Sequence, residues 1–407
     1  MFTSFQAGMI AANGLLGKSC YILLSDPKPM VPSLVETGAR LFVTKFLSHF
    51  ISTGSVILLE NGGTMFTFEG TTKKCSLKTV INVHNPHFYW KVRTAADISL
   101  ADAYINGDIS FVDKRYGFLN VLMILFANRA GLTSAKYCFK HFSRRNTLTQ
   151  ARRNISRHYD LSNELFALFM DETMAHSCAV FKTEDEDLTD AQQRKVSLLI
   201  EEVIPHSLAI KVVKRTGCKY TGITLSEEQL KLAEKRVKEA GLQENIRFQL
   251  CDYRQLPSTY KYDRIISCEM IAAVGHEYME DFFDCCELVL AEDGLLVLQF
   301  TSIPEKRFDE YRQSSDFIKE YIFPGRVTTA MNAASRLCVE YVENIGRHYY
   351  QTLRHWRKNF LEKQRLHSKI NALGFNDKFI RTWEYYFDYC AAGFKSNTLG
   401  NYHEYEI

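Results

Sequence analysis

Between Cys218 and Phe300 strand-like and helix-like runs alternate, and nothing else in the chain restricts the fold as much. Four short runs are rich in β-branched and aromatic residues: Cys218–Leu225 (CKYTGITL), Ile246–Cys251 (IRFQLC), Arg264–Ser267 (RIIS) and Leu295–Phe300 (LLVLQF). Glu227 to Ala240 reads as a helix. Ser226 and Gln229 form an S-x-x-Q capping box, Leu230, Ala233 and Val237 make its apolar stripe, and Gly241 stops it. A further helix is expected at Met279–Leu290. Strand–helix–strand units of this length build a mostly parallel sheet covered on both faces.

Upstream the pattern differs. From Ser55 to about Arg93, the runs VILLE, MFTFEG and FYWKVR are separated by NGG, EG and HNP turns, which predicts a small antiparallel β unit. Ile98 to Asn128 reads as helical, and Arg307 to Phe387 as helical and aromatic-rich. Three of the eight prolines, Pro27, Pro29 and Pro32, mark a linker. The chain of 407 residues is 46% hydrophobic and 24% charged, which excludes disorder, collagen-like repeats and a coiled coil. Its net charge of +3 is too small to mark the whole chain as nucleic-acid binding. Locally, Lys114 to Tyr159 holds ten Lys/Arg and no Asp or Glu. The apolar run Tyr116–Ala127 is too short to span a bilayer. Eleven cysteines without CxxC pairs or a signal peptide read as reduced thiols in a cytoplasmic compartment.

Three sets of segments go further. They are Asn154–Phe166 (NISRHYDLSNELF) with Glu172–Phe181 (ETMAHSCAVF); Tyr220–Gln229 (YTGITLSEEQ) with Cys251–Leu256 (CDYRQL); and Gly275–Glu277 (GHE) with His348–Leu353 (HYYQTL) and Tyr389–Phe394 (YCAAGF). Over roughly residues 55–400 the chain resembles the cyclopropane fatty acid synthases, methyltransferases that use S-adenosylmethionine on unsaturated acyl chains of phospholipids. The wording is closest to the plant members, which carry an FAD-dependent amine-oxidase-like domain ahead of the synthase; Ala7–Lys18 looks like the last helix of that domain.

The resemblance implies an α/β fold, a class I (Rossmann-like) methyltransferase sheet with a small α+β N-terminal domain. It divides the chain into a remnant and linker at 1–50, the small domain at 51–145 and the methyltransferase domain at 146–407, whose C-terminal part is helical and aromatic-rich. It implies S-adenosylmethionine as cofactor, with Ser177 at the methionine part, Thr224, Leu225 and Gln229 at the ribose, and Asp252 and Tyr253 at the adenine. Methyl addition to a cis olefin leaves a cation, from which a base removes a proton as the cyclopropane ring closes. The family is thought to use a bound bicarbonate as base, and the motifs carry its holders onto Cys178, Gln299 and Tyr349. Cys390 matches another cysteine long regarded as a candidate for the active site. The implied partners are a phospholipid membrane surface, unsaturated acyl chains and a second copy of the chain as homo-oligomer. The basic stretch is assigned to peripheral docking, with no nucleic acid; Arg144, Arg145, Arg152 and Arg153 lie at its centre.

Departures from the pattern matter as much. The family's first strand and glycine-rich turn, a run like VLEIGCGWG, are absent, and no glycine occurs between Gly131 and Gly217. Ser207–Val213 (SLAIKVV) cannot replace the strand, because only Lys214–Gly217 separates it from the next one and a parallel crossover needs a dozen or more residues. The central first strand therefore reads as deleted, and a normal sheet is not expected to survive. Ala272 stands where a glutamate is expected, and His176 where a tyrosine is usual. These departures define an alternative: a catalytically inactive, lipid-surface-binding relative without cofactor binding.

Overall fold

The computed structural model describes residues 32–72, 74–128, 163–202, 207–275, 278–308, 311, 317–322, 337–364 and 376–406. Ser33 opens α1 (Leu34–Phe50) with a reciprocal capping box, its backbone N donating to Glu36 Oε2 at 2.9 Å. β1 (Ser55–Glu60) and β2 (Met65–Glu69) form an antiparallel hairpin. Its turn holds Gly62 and Gly63 at φ 101° and 88°, where a side chain would be strained. β3 (Lys78–Val83) runs parallel to β1, and β4 (Ile109–Phe111) lies antiparallel on β3, giving the order β2-β1-β3-β4.

The expected all-antiparallel unit is thus corrected at β3. The run FYWKVR is not a strand but the start of α2 (His87–Ile105). Pro86 precedes it, and its buried Phe88 and Tyr89 are adjacent, where a half-buried strand would alternate. The helix expected over 98–128 is broken in two by β4, with α3 (Gly117–Ala127) following. Beyond it come α4 (Asn163–Phe169), α5 (Leu188–Glu202) and α6 (Ser207–Thr216).

The parallel region follows the alternation closely. β5 (Tyr220–Thr224), α7 (Glu227–Glu239), β6 (Ile246–Leu250), β7 (Tyr262–Cys268), α8 (Ile271–Val274), α9 (Met279–Val289) and β8 (Leu290–Ser302) occur in that order. β9 (Val339–Asn344), α10 (Gly346–Gln364), α11 (Asp377–Lys395) and β10 (Gly400–Glu406) complete the chain. Ser226 accepts from Gln229 N at 3.2 Å, as a cap should, and Gly241 ends the helix at φ 68°.

These strands do not form one sheet. β5 and β6 pair in parallel by themselves, whereas β7-β8-β10-β9 is a separate four-stranded sheet with β7 and β8 parallel and the other pairs antiparallel. The second edges of β5 and β7 have no strand partner among the described residues. The interruption falls where the sequence lacks its first strand, so the expectation of a broken sheet is met. SLAIKVV is helical as α6, whose stripe Ala209, Val212 and Val213 spans the division. Val212 packs with Val297, Tyr405 and Ile266 of the larger sheet, and Ala209 and Val213 pack with Val237 and Ile246 of the smaller unit.

One apolar core joins the N-terminal sheet to the C-terminal helices. It runs from Ala39 and Val43 of α1 through Val56, Leu58 and Phe118 to Trp356, Trp383 and Phe387. A buried carboxylate, Asp388, holds Arg354 and Arg357, whose Nη2 atoms donate to the carbonyls of Arg115 and Lys114. No disulfide occurs among the described residues. No described helix is long and apolar enough to cross a membrane.

Candidate active site

The loop Asp171–Phe181 is held from two sides. From α10, Thr352 Oγ1 accepts from Ala179 N at 3.0 Å, and His348 Nδ1 accepts from Phe181 N at 3.3 Å. From α5, Gln192 Nε2 donates to the Ser177 carbonyl at 3.0 Å, and Lys195 Nζ donates to Ser177 Oγ at 2.6 Å. The stacked rings of His176 and Trp356, 5.2 Å apart, close the loop against the aromatic core.

This clamp buries Cys178 completely. Its thiol donates to the carbonyls of Ala179 (3.3 Å) and Ile345 (3.6 Å). Burial, and after it the charge of Glu269, pushes the thiol well above the usual range, so Cys178 is a protonated donor and not a thiolate nucleophile. Burial and Glu269 act likewise on the Tyr349 phenol, which stacks on Phe394 at 4.5 Å. Cys390, half-buried on α11, is among the groups whose charge would add to that effect. Gln299 is buried on β8. Its Nε2 donates to Asn401 Oδ1 at 3.3 Å, and its Oε1 accepts from Cys268 Sγ at 3.3 Å. The structure therefore brings Cys178 and Tyr349 under one carboxylate, Glu269, with Gln299 joined to the same carboxylate through Asn401.

Beside them lies a cavity of about 1440 Å³ between the two sheet pieces. It is larger than the roughly 300–1,000 Å³ common for small-molecule sites. All six residues expected at the cofactor line it: Ser177, Thr224, Leu225, Gln229, Asp252 and Tyr253. Cys178, Gln299, Tyr349 and Cys390 do not, although Gln299 accepts from Cys268 of the cavity wall.

Several of these side chains already have partners. Thr224 Oγ1 donates to Gln229 Oε1 at 2.8 Å and accepts from Ser226 N at 3.1 Å. Both Asp252 oxygens accept from Arg254, at 2.8 and 2.9 Å. Tyr253 is different: its buried hydroxyl has no hydrogen-bond partner among the described residues, and it forms part of the cavity wall. An orphaned polar atom at the mouth of two parallel strands fits the adenosine half of a nucleotide-like ligand. The sequence carries no glycine-rich turn there.

Two residues escaped the sequence reading. Glu269 follows β7 directly with φ 55°, a conformation few non-glycine residues adopt. Its one readable signal was its place just beyond the carboxyl end of a parallel strand. Lys195 lies on the buried stripe of α5 with Leu188 and Ala191, and a lysine at an apolar helical position was the signal there.

Residues 146–204 and 206–403 match the family described as mycolic acid cyclopropane synthetase. Tuberculostearic acid methyltransferase of Mycobacterium tuberculosis is 34% identical over 280 residues, 62% of this chain and 64% of that one. The match thus spans a little under two thirds of that relative's length. Cyclopropane-fatty-acyl-phospholipid synthase of Escherichia coli is 28% identical over 345 residues, covering 78% of this chain and 85% of the relative. Sphingolipid C9-methyltransferase of Candida albicans is 28% identical over 265 residues, 58% of this chain and 51% of the relative. Among solved structures, a mycolic acid cyclopropane synthase complexed with SAH and CTAB superposes with TM-score 0.56 at 24% identity, covering 63% of this chain and 98% of that one. Coclaurine N-methyltransferase bound to N-methylheliamine and SAH gives TM-score 0.56 at 17% identity, covering 77% and 99%. Both likenesses concern the fold.

Proposed function

Starting from the chain's membership of the mycolic acid cyclopropane synthetase family, we propose that its site serves methyl transfer from S-adenosylmethionine to the cis double bond of an unsaturated acyl chain on a phospholipid, closing a cyclopropane. One observation carries this reading: the six residues expected at the cofactor, drawn from distant segments, line a single cavity. When bound, the cofactor supplies an electrophilic sulfonium methyl. Thr224, Leu225, Gln229, Asp252 and Tyr253 would hold its adenosine half, and Ser177 its amino-acid end. Cys178 and Tyr349, kept protonated by burial and by Glu269, each carry a proton to donate. Such donors suit a bound anion, and bicarbonate as base is part of this proposal. Peripheral docking on the cytoplasmic face of a membrane belongs to it as well, since the substrate lies in a bilayer.

A second reading rests on the divided sheet. With β5 and β7 unpaired towards each other and no glycine turn between α5 and β5, the chain is a lipid-binding relative that does not bind the cofactor. Calorimetric titration with S-adenosylmethionine, alongside circular dichroism, separates the two. Micromolar binding, followed by methyl incorporation into vesicles of oleoyl phospholipid, supports the enzyme. A folded chain that releases no heat on titration and still binds vesicles supports the relative.

A further inference from the structure

Lys195 is 1% exposed, yet its ammonium has one hydrogen-bond partner among the described residues, Ser177 Oγ at 2.6 Å. An ammonium carries three N–H donors, so two are left over. No described carboxylate stands within ion-pair distance of it. Its charge is felt at longer range by Asp171 and by the Cys178 and Cys268 thiols, and also by His403, a buried neutral imidazole. Burying a cation without a counter-charge is strongly unfavourable unless something of opposite charge arrives. Lys195 lines the large cavity, and so does Ser177. No described carboxylate therefore pairs directly with this charge, and Glu269, on the same wall, is held by Asn401 and Thr301.

Glu269 lines the same cavity, and the two charges act with opposite sign on the Cys178 and Cys268 thiols. A cavity wall carrying one buried cation and one carboxylate around the same pair of thiols complements a dipolar ligand. It suits an α-amino acid better than a simple anion.

We infer that Lys195, with the Ser177 hydroxyl that it engages, receives the carboxylate at the amino-acid end of the methyl donor. The inference rests on the cofactor reading above and adds to it the residue that recognises this group. Where the chain has no glycine turn to offer backbone N–H groups, Lys195 supplies the donors. It does so with full charge, which is the stronger kind of hydrogen bond to a carboxylate.

The test compares two ligands that differ only in that carboxylate. S-adenosylmethionine and its decarboxylated analogue are titrated calorimetrically into the wild-type chain, and into Lys195→Met and Lys195→Arg, each checked by circular dichroism. The wild type should prefer S-adenosylmethionine by at least about tenfold, the scale of one charged hydrogen bond. Lys195→Met should bind both ligands at the weaker level, and Lys195→Arg should keep part of the preference. Equal wild-type affinity for the two ligands overturns the role of Lys195 and leaves the cofactor reading standing. So does a preference that survives in Lys195→Met. A folded wild type that binds neither overturns the cofactor reading, and this inference with it. The wild-type comparison needs no variant, so a Lys195→Met chain that failed to fold would not remove the test.

Discussion

Asn401 Nδ2 donates to Glu269 Oε1 at 2.6 Å, joining the last strand to the residue that follows β7. Thr301 Oγ1 donates to the other carboxylate oxygen at 3.1 Å, and Asn401 also reaches Thr301 Oγ1 at 3.1 Å. Two side chains from neighbouring strands thus hold one carboxylate, whose backbone is itself in a left-handed conformation. Strain of this kind persists where the surroundings over-determine it, and it gathers at functional sites. Ala272 leaves the expected carboxylate position empty of charge, and Glu269 is the carboxylate whose field reaches Cys178 and Tyr349.

Glu269→Gln should therefore lower the pKa of Cys178, since a negative neighbour disfavours the thiolate and its removal relieves that effect. The amide oxygen can still accept from Asn401, so the fold should hold. The pH dependence of the Cys178 Cβ chemical shift, which needs no reagent to reach the buried thiol, reads this directly. The midpoint for Cys178 should move to lower pH. An unmoved Cys178 midpoint would show that Glu269 is not its electrostatic partner.

His403 sits on β10 opposite Gln299 and is 2% exposed. Burial, helped by the charges of Lys195 and His348, brings its pKa down to about 4. The folded value lies below the unfolded one of about 6.5, so the unfolded chain takes the proton first. Stability is complete above about pH 6.5, falls between there and about pH 4, and levels below that. The loss from this one group is about 3 kcal/mol. Urea unfolding at pH 7.5 and 4.5 should show it, and His403→Gln should flatten that part of the profile. An identical pH profile in the variant would mean that other groups, such as His348 and His355, whose pKa values are lowered by burial too, carry the whole effect.

How legible was all this? The four parallel strands and the capped helix α7 were readable because each buries a face with a fixed period, and period survives without tertiary context. The division of the sheet was readable for a different reason: a glycine turn and its strand leave a gap that no substitution pattern hides. The C-terminal strand was harder. In NYHEYEI the residues His403, Glu404 and Glu406 are all buried, so neither alternation nor apolar content betrays a strand paired on both sides. Glu269, Asn401 and Lys195 were harder still. Each is a lone polar residue with a weak local signal at most, and Asn401 meets Glu269 across 132 residues that only the fold closes. Gln299 was placed by resemblance, whereas its tie through Asn401 to Glu269 came from coordinates.

The basic stretch makes a prediction that the described residues do not reach, since Arg144, Arg145, Arg152 and Arg153 lie outside them. Each basic residue near an anionic surface contributes about 1 kcal/mol, and salt screens it. Replacing the four by Ser should abolish binding to phosphatidylserine vesicles at low salt, measured by co-sedimentation, with little change in the thermal unfolding of the chain. Unchanged sedimentation would remove this stretch from membrane docking and shift attention to exposed apolar side chains such as Leu41 and Phe42 on α1.

The divided sheet itself can be tested at Ser267. This residue is on β7, the strand whose second edge has no partner among the described residues, and it is 4% exposed. Its hydroxyl lines the cavity without a hydrogen-bond partner among the described residues. A buried hydroxyl left unsatisfied costs about 1–3 kcal/mol, which an apolar side chain does not incur. Space is available for the added methyl, because the cavity lies alongside. Ser267→Val should therefore raise stability by about 1 kcal/mol, read as a higher urea midpoint at unchanged slope. It also favours the extended backbone that β7 already has. A strand paired against β7, or a ligand group bonded to the hydroxyl, would reverse the sign: the variant would then lose stability. A destabilised Ser267→Val chain would mean that the slot between β5 and β7 is filled in solution.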